Sequence, residues 1–181
     1  MSNLINHFRT ITRHRMLVMH YCFKLGLYRQ GLLHDLSKYT PTEFIPGVIY
    51  FQGDHSPNDA ERQDKGYSTA WMHHKGRNKH HLEYWTDYKI GTKKGTMSGV
   101  KMPLNYVLEM FCDRIAASRI YNGEKYTDDM PYRYFVKGRI HTTIDPETDA
   151  FLEKLLRLLA KYGEEKTFRF IRYYRRHHRT Y

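Results

Sequence analysis

An all-α fold follows from three features of this 181-residue sequence. Apolar residues recur at three-and-four spacing over long stretches, the signature of helices that bury one face. Proline directly follows a capping residue at Thr40-Pro41, Ser56-Pro57 and Asp145-Pro146, where it opens a helix rather than breaking one. No stretch shows strand alternation bounded by hairpin turn residues, and no internal repeat is visible.

Taken in order, Asn3 to Tyr28 read as one long helix, with Leu4, His7, Ile11, His14, Val18, Tyr21 and Leu25 along one face. Gly26 and the short Tyr28-Arg29-Gln30-Gly31 segment predict a bend into a second helix that carries His34 and Asp35. Thr40-Pro41-Thr42-Glu43 reads as a capping box. The helix it starts is expected to be distorted or shortened at Pro46-Gly47. From Ser56 a further helix runs towards Trp71 and His74, with a break at Gly66 and an interruption at Gly76, and His80 to Tyr88 add a turn or two. Residues 91 to 101 have the glycine, serine and lysine content of a mobile surface loop.

Pro103 then opens a helix that is apolar nearly all round, from Leu104 and Val107 through Phe111 and Cys112 to Ile120, which predicts a buried central helix. Asp145-Pro146-Glu147 caps an amphipathic helix carrying Phe151, Leu152, Leu155, Leu158, Leu159 and Tyr162 and ending at Gly163. The tract from Lys166 to Tyr181 alternates basic and aromatic residues. One helical domain over residues 1–181 is expected, with C-terminal helices at 146–181.

Lys and Arg number 30 against 19 Asp and Glu, a formal net charge of +11 that favours anionic partners: phosphorylated small molecules, nucleic acid or a membrane surface. No apolar run approaches the roughly 20 residues needed to span a bilayer. Met1-Ser2-Asn3-Leu4 lacks the features of a signal peptide. The two cysteines, Cys22 and Cys112, sit inside apolar helical patterns, so no disulfide framework is expected and a reducing cytoplasm fits.

The chemistry concentrates at Gly31-Leu32-Leu33-His34-Asp35-Leu36-Ser37-Lys38. An imidazole and a carboxylate beside an apolar run lose solvation unless something compensates, and a divalent cation would do so; a helix end facing water is the plain alternative. Asp113, inside an apolar helix, must be paired with an arginine such as Arg114 or Arg119, protonated, or bound to metal. His14 lies on the apolar stripe with Val18 and Leu25. His20 lies about 240° further round the helix, so at most one of the two can join His34, and His14 is preferred.

His73, His74, His80 and His81 fall within nine residues, interleaved with Lys75, Arg77 and Lys79. They read either as a solvated basic loop, or as histidines for a second metal or a substrate with cations for its phosphate. Lys38 is a further phosphate-binding candidate, or an ordinary exposed lysine. In the C-terminal tract, Phe168, Ile171 and the tyrosines at helical spacing fit a packed face with a basic solvated side, and nucleic-acid binding is the alternative.

The ordered set His14, His34-Asp35, Asp113 resembles the HD-domain metal-dependent phosphohydrolase superfamily, an all-α fold. Leu32-Leu33-His34-Asp35-Leu36-Ser37-Lys38 is similar to that family's Leu-Leu-His-Asp-Ile-Gly-Lys segment, with Ser37 in place of the usual glycine. Cys112-Asp113-Arg114-Ile115 is similar to its Ala-Asp-Arg-Ile/Leu segment, and His14 precedes Val18 by the four positions typical of its first histidine. The likeness covers roughly residues 7 to 120. The whole chain also resembles a group of small bacterial and phage-borne proteins of unassigned function that share Leu-Leu-His-Asp-Leu-Ser-Lys-Tyr and His-His-Lys-Gly-Arg-Asn-Lys-His-His.

The resemblance implies that His14, His34, Asp35 and Asp113 ligate one divalent metal and that Asp35 can bridge to a second. Manganese, iron, cobalt, nickel and zinc all suit such ligands. It implies hydrolysis of a phosphomonoester or phosphodiester, a nucleotide above all, with Asp35 and Lys38 as catalytic residues. Some dinuclear members use a further histidine that precedes a His-His pair by a much longer stretch than the His73 to His81 cluster offers. The alternatives are a basic nucleic-acid-binding helical module with a structural metal, and a metal-dependent nuclease.

Overall fold

The N-terminal stripe forms α1, Asn3–Lys24, and buries His7, Ile11, His14, Val18 and Tyr21. A computed structural model describes residues 2–91, 95–139 and 143–181 of the chain. α1 ends earlier than its periodicity predicts: Leu25 and Gly26, with φ 71°, turn the chain, and Leu4 is exposed. Arg175, from the far end of the sequence, donates to the Leu25 carbonyl and closes that turn.

The segment read as a bend is itself α2, Tyr28–Leu33, and it stops short of the residues it was expected to carry. His34 and Asp35 lie in the break between α2 and a 3-10 turn over Leu36–Tyr39. α3, Pro41–Ile49, runs through Pro46. Its start is not a capping box. The Thr40 hydroxyl donates to the Ser37 carbonyl at 2.6 Å, and Glu43 turns to His73 and His74 instead.

The stretch after Ser56 is two helices, α4 at Pro57–Lys65 and α5 at Thr69–Lys75, separated at Gly66 in the left-handed region. Ser68 caps α5 by accepting from the Trp71 amide at 3.0 Å. After a 3-10 turn at Leu82–Tyr84 come two strands, β1 at Thr86–Tyr88 and β2 at Met97–Gly99, paired antiparallel with Asp87 opposite Ser98. β2 replaces part of the expected loop and β1 the end of the expected His80 to Tyr88 turns, because three-residue strands are too short to show a period of two. Residues 92–94 of that loop lie outside the described residues.

The apolar helix is α6, Leu104–Asn122, and it is central as expected. α7, Met130–Gly138, was not anticipated; it buries Pro131 and Phe135. α8, Pro146–His177, starts where Asp145 accepts from the Thr148 amide at 2.9 Å. Gly163, at φ 76° and ψ 175°, is non-helical, so α8 is two helical runs meeting at a kink; the first ends at Gly163 as expected, and the second buries Phe168 and Ile171. Val18 and Cys22 of α1, Val107, Leu108, Phe111, Cys112 and Ile115 of α6, and Leu152, Leu155, Leu156 and Leu159 of α8 form one apolar core. Both cysteines are buried and unbonded. The Tyr181 hydroxyl donates to the Met102 carbonyl at 2.6 Å, and its ring stacks on Phe151, so the end of the basic tract packs back onto the core. No described helix is long and apolar enough to cross a membrane.

Candidate metal centre

Opposite the apolar core, α6 presents Asp113 to α1. Its Oδ1 lies 2.9 Å from His14 Nε2 and 3.7 Å from His34 Nε2. Asp35 Oδ2 lies 3.7 Å from His14 Nε2 and 3.4 Å from His34 Nε2. Ligand atoms of these four residues all fall within 4.8 Å of one another. Neither arginine that could have paired with Asp113 forms an ion pair with it: Arg119 binds Glu164 at 2.6 Å, and Arg114 lies over the Phe135 ring. His20 packs beside Tyr21, which leaves His14 as the histidine of α1 in this group.

The backbone explains how two adjacent residues reach one site. On a continuous helix their side chains would diverge by about 100°. Here His34 is extended, with ψ 127°, and Asp35 is left-handed, with φ 53°, the one non-glycine with positive φ among the described residues. Aspartate tolerates that region better than most residues do. Arg15 of α1 clamps the break, donating to the Leu32 carbonyl at 2.5 Å and the His34 carbonyl at 3.2 Å.

The second oxygen of Asp35 faces a different set. Its Oδ1 lies 3.3 Å from His74 Nε2 and 3.4 Å from His80 Nε2, and His81 Nε2 lies 2.9 Å from His74 Nε2. Asp35, His74, His80 and His81 likewise place ligand atoms within 4.8 Å of one another. His73 belongs to neither group; its Nδ1 donates to Glu43 at 2.6 Å. α5, which carries His74, is tied down by the buried carboxylate of Glu61, which accepts from the Ser68 and Thr69 hydroxyls at 2.6 and 2.7 Å. Burial opposes that charge, but these hydrogen bonds hold the carboxyl down to about 2.

Two further carboxylates, Glu43 and Glu109, lie behind the histidines. Glu43 also takes the His74 Nδ1 proton at 2.7 Å, and Glu109 takes those of His34 at 2.9 Å and His80 at 3.0 Å. Lys38 Nζ sits 2.6 Å from Asp35 Oδ2. The other expected phosphate-binding cations are not gathered here. Arg77 donates to the His73 carbonyl, and Lys79 lies over the Tyr84 and Tyr106 rings. Lys75 is half-buried at the end of α5.

The electrostatics are those of a buried cluster whose carboxylates and cations compensate one another. Burial opposes a charge on His34, but Asp35, Glu109 and Asp113 outweigh it and push its pKa up to about 10. Burial also works against ionised Asp35 and Asp113. His34 and Lys38 beside the first, and His14 beside the second, still hold both carboxyls well below the usual range. Burial, with His80 and His74 alongside, keeps His81 far below the usual imidazole value. His14 Nε2, His34 Nε2, Asp35 Oδ1 and His80 Nε2 are buried and make no well-aligned hydrogen bond among the described residues, His14 Nε2 even at 2.9 Å from Asp113 Oδ1. Each such group costs about 1–3 kcal/mol. The four orphaned atoms come from both groups and lie on their inner faces, so the donor set fits a divalent cation in each.

A recess of about 560 Å³, counting the part open to solvent, adjoins the site and is lined by His7, Lys38, Glu43, Phe51, His74 and Tyr121 among others. Gly47 of α3 lets His7 lie across it, since a Cβ there would stand 2.3 Å from His7 Nε2. Arg15, Glu43, Glu109 and Tyr121 had no place in the sequence-based site. A signal existed for Glu109, which precedes Asp113 by one helical turn in an otherwise apolar stretch. A family of unknown function, DUF5662, matches residues 3–158. No curated protein and no solved structure matches the chain.

Proposed function

The chain belongs to the DUF5662 family, and from its site we propose that it is a metal-dependent phosphohydrolase acting on a phosphomonoester or phosphodiester, with a nucleotide as the first substrate to try. The observation that carries this reading is Asp35, whose two oxygens face two separate sets of buried nitrogen ligands. His14, His34 and Asp113 would hold one divalent ion, His74, His80 and His81 another, and Asp35 would join them. Ions held in this way supply Lewis-acid polarisation of a phosphoryl oxygen and activation of water. The order His14, His34-Asp35, His74, His80-His81, Asp113 also follows the ligand order of the dinuclear HD-domain enzymes, at a shorter spacing in the middle.

The remaining roles fall to residues around the recess. Lys38, whose ammonium lies at both Asp35 and the recess, would offset negative charge developing on the phosphoryl group. Phe51 and Tyr121 offer walls for the rest of the substrate and help exclude water. Two buried free thiols favour a reducing compartment, the cytoplasm on this reading.

The test is metal content of the purified protein, followed by a panel of nucleotides and simple phosphoesters with added manganese. Asp35→Ala should abolish both ion binding and turnover, by at least about 100-fold in rate if metal chemistry carries the reaction. Turnover that survives Asp35→Ala, or a protein that takes up no divalent ion and turns over nothing, overturns the proposal. Salt-sensitive RNA or DNA binding without turnover would favour the nucleic-acid module, and strand cleavage would make the protein a nuclease.

A further inference from the structure

We infer that Glu109 is a positioning residue for both cation groups at once, so that both ions depend on this one side chain. The inference rests on the metal-centre reading above and concerns a side chain that is in neither four-residue group.

Glu109 lies one turn before Asp113 on α6, is buried, and reaches the site from beneath. A single oxygen, Oε1, accepts from two imidazoles, His34 Nδ1 at 2.9 Å and His80 Nδ1 at 3.0 Å. The two rings lie 4.4 Å apart between centroids. A carboxylate can only accept, so each Nδ1 carries a proton, and Nε2 is the nitrogen left to ligate, giving up any proton it holds when an ion binds.

Those two Nε2 atoms would serve different ions. His34 Nε2 faces Asp35 Oδ2, and His80 Nε2 faces Asp35 Oδ1, each at 3.4 Å. Asp35 and Glu109 therefore close a ring through the two histidines, with one carboxylate on each side. Outer carboxylates that hold a ligating histidine fix its tautomer and orientation, and losing one typically costs about 10–100-fold in metal affinity. In this protein one outer carboxylate holds a histidine of each group, so its loss should reach both ions. Because both rings already direct Nε2 at Asp35, a metal held by Nδ1 atoms and Glu109 would require each imidazole to bridge two ions.

Glu43 supplies the internal contrast. Its Oε2 accepts from His74 Nδ1 at 2.7 Å and its Oε1 from His73 Nδ1 at 2.6 Å, so among the grouped histidines it holds only one, from the second group. The two glutamates thus occupy similar chemical positions with different reach.

The experiment titrates metal-free protein with cobalt(II), reading stoichiometry, affinity and the visible spectrum of each site, with thermal melting in chelator as the control. Glu109→Leu should weaken both ions together by about 10–100-fold and alter both spectral components. Glu109→Gln keeps an acceptor oxygen without the charge and should fall between Glu109→Leu and the unaltered protein for both ions. Glu43→Gln should weaken one ion only. A loss confined to one ion in both Glu109 variants, or unchanged affinities in Glu109→Gln, overturns this shared dependence; Glu109→Gln decides the matter if the leucine variant fails to fold. An unaltered protein that binds no cobalt refutes the metal-centre reading itself, and this inference with it.

Discussion

On one side of α6, Val107, Leu108, Phe111 and Ile115 are fully buried in a cluster with Leu152, Leu155, Leu156 and Leu159 of α8. On the other, Glu109 and Asp113 face His14, His34 and His80. The first face is held by dispersion and loss of apolar surface from water, which depend on volume and shape and tolerate exchange among residues of similar size. The second sequesters several ionisable groups, each costing several kcal/mol unless its partners are placed atom by atom. One helix therefore carries a face in which many sequences would serve and a face in which single oxygens matter. Stability should be dominated by the first and ion binding by the second.

That separation can be broken most forcefully from the apolar side. Leu155→Ala should cost about 2–5 kcal/mol of stability, the range for truncating a buried leucine, read from the urea midpoint. The protein that remains folded should keep its full complement of ions. A parallel drop in ion affinity would show that the two faces are mechanically coupled.

A smaller effect is expected where the faces meet a supporting element. Glu61→Ala leaves the Ser68 and Thr69 donors at the start of α5 without their acceptor, at a cost of about 1–3 kcal/mol. Thermal melting of the metal-free protein measures this. Since α5 carries His74, the ion of the second group should weaken while that of the first is unaffected. Loss of the first ion as well would mean that α5 supports the whole site.

A pH dependence is expected at the far end of the recess, spread over a wide window so that its slope at any one pH is small. Burial first, and the charge of Lys38 second, lower the His7 pKa from 6.5 to about 4. The folded state thus holds His7 neutral where the unfolded chain would take up a proton. The stability this contributes is complete above pH 6.5 and is lost as pH falls through about 4. The slope is at most about 1.4 kcal/mol per pH unit. His7→Phe should flatten the urea midpoint over that window; an unchanged slope would assign the acid sensitivity to other groups.

The parts of the site legible in the sequence were those that violated a local pattern. Asp113 stood inside an apolar helix, His14 on an apolar stripe, and His34-Asp35 after two leucines, and each anomaly could be seen within a few residues. Glu43 was misread because threonine, two residues and glutamate form the same local string whether or not the glutamate folds back on the cap. Glu109 passed as one polar position in a long helix, because its partners are remote: His34 is 75 residues away in sequence. α7 and the β1–β2 hairpin were missed for a different reason, since elements of nine and three residues show too few repeats of their period.

The sequence by itself determined the helical class, the proline-led start of α4 and the capped start of α8, the apolar core of α6 and the first four grouped residues of the candidate site. These follow from periodicity, capping and desolvation, which act over one or two turns of chain. Only the tertiary structure decided which neighbouring histidine turns inward, His74 rather than His73. It alone set the left-handed break that brings His34 and Asp35 into one site, and it directed the two oxygens of Asp35 to different partners. Adjacent positions in a chain are chemically alike until packing of distant elements gives each of them a direction, and the direction is what makes a ligand.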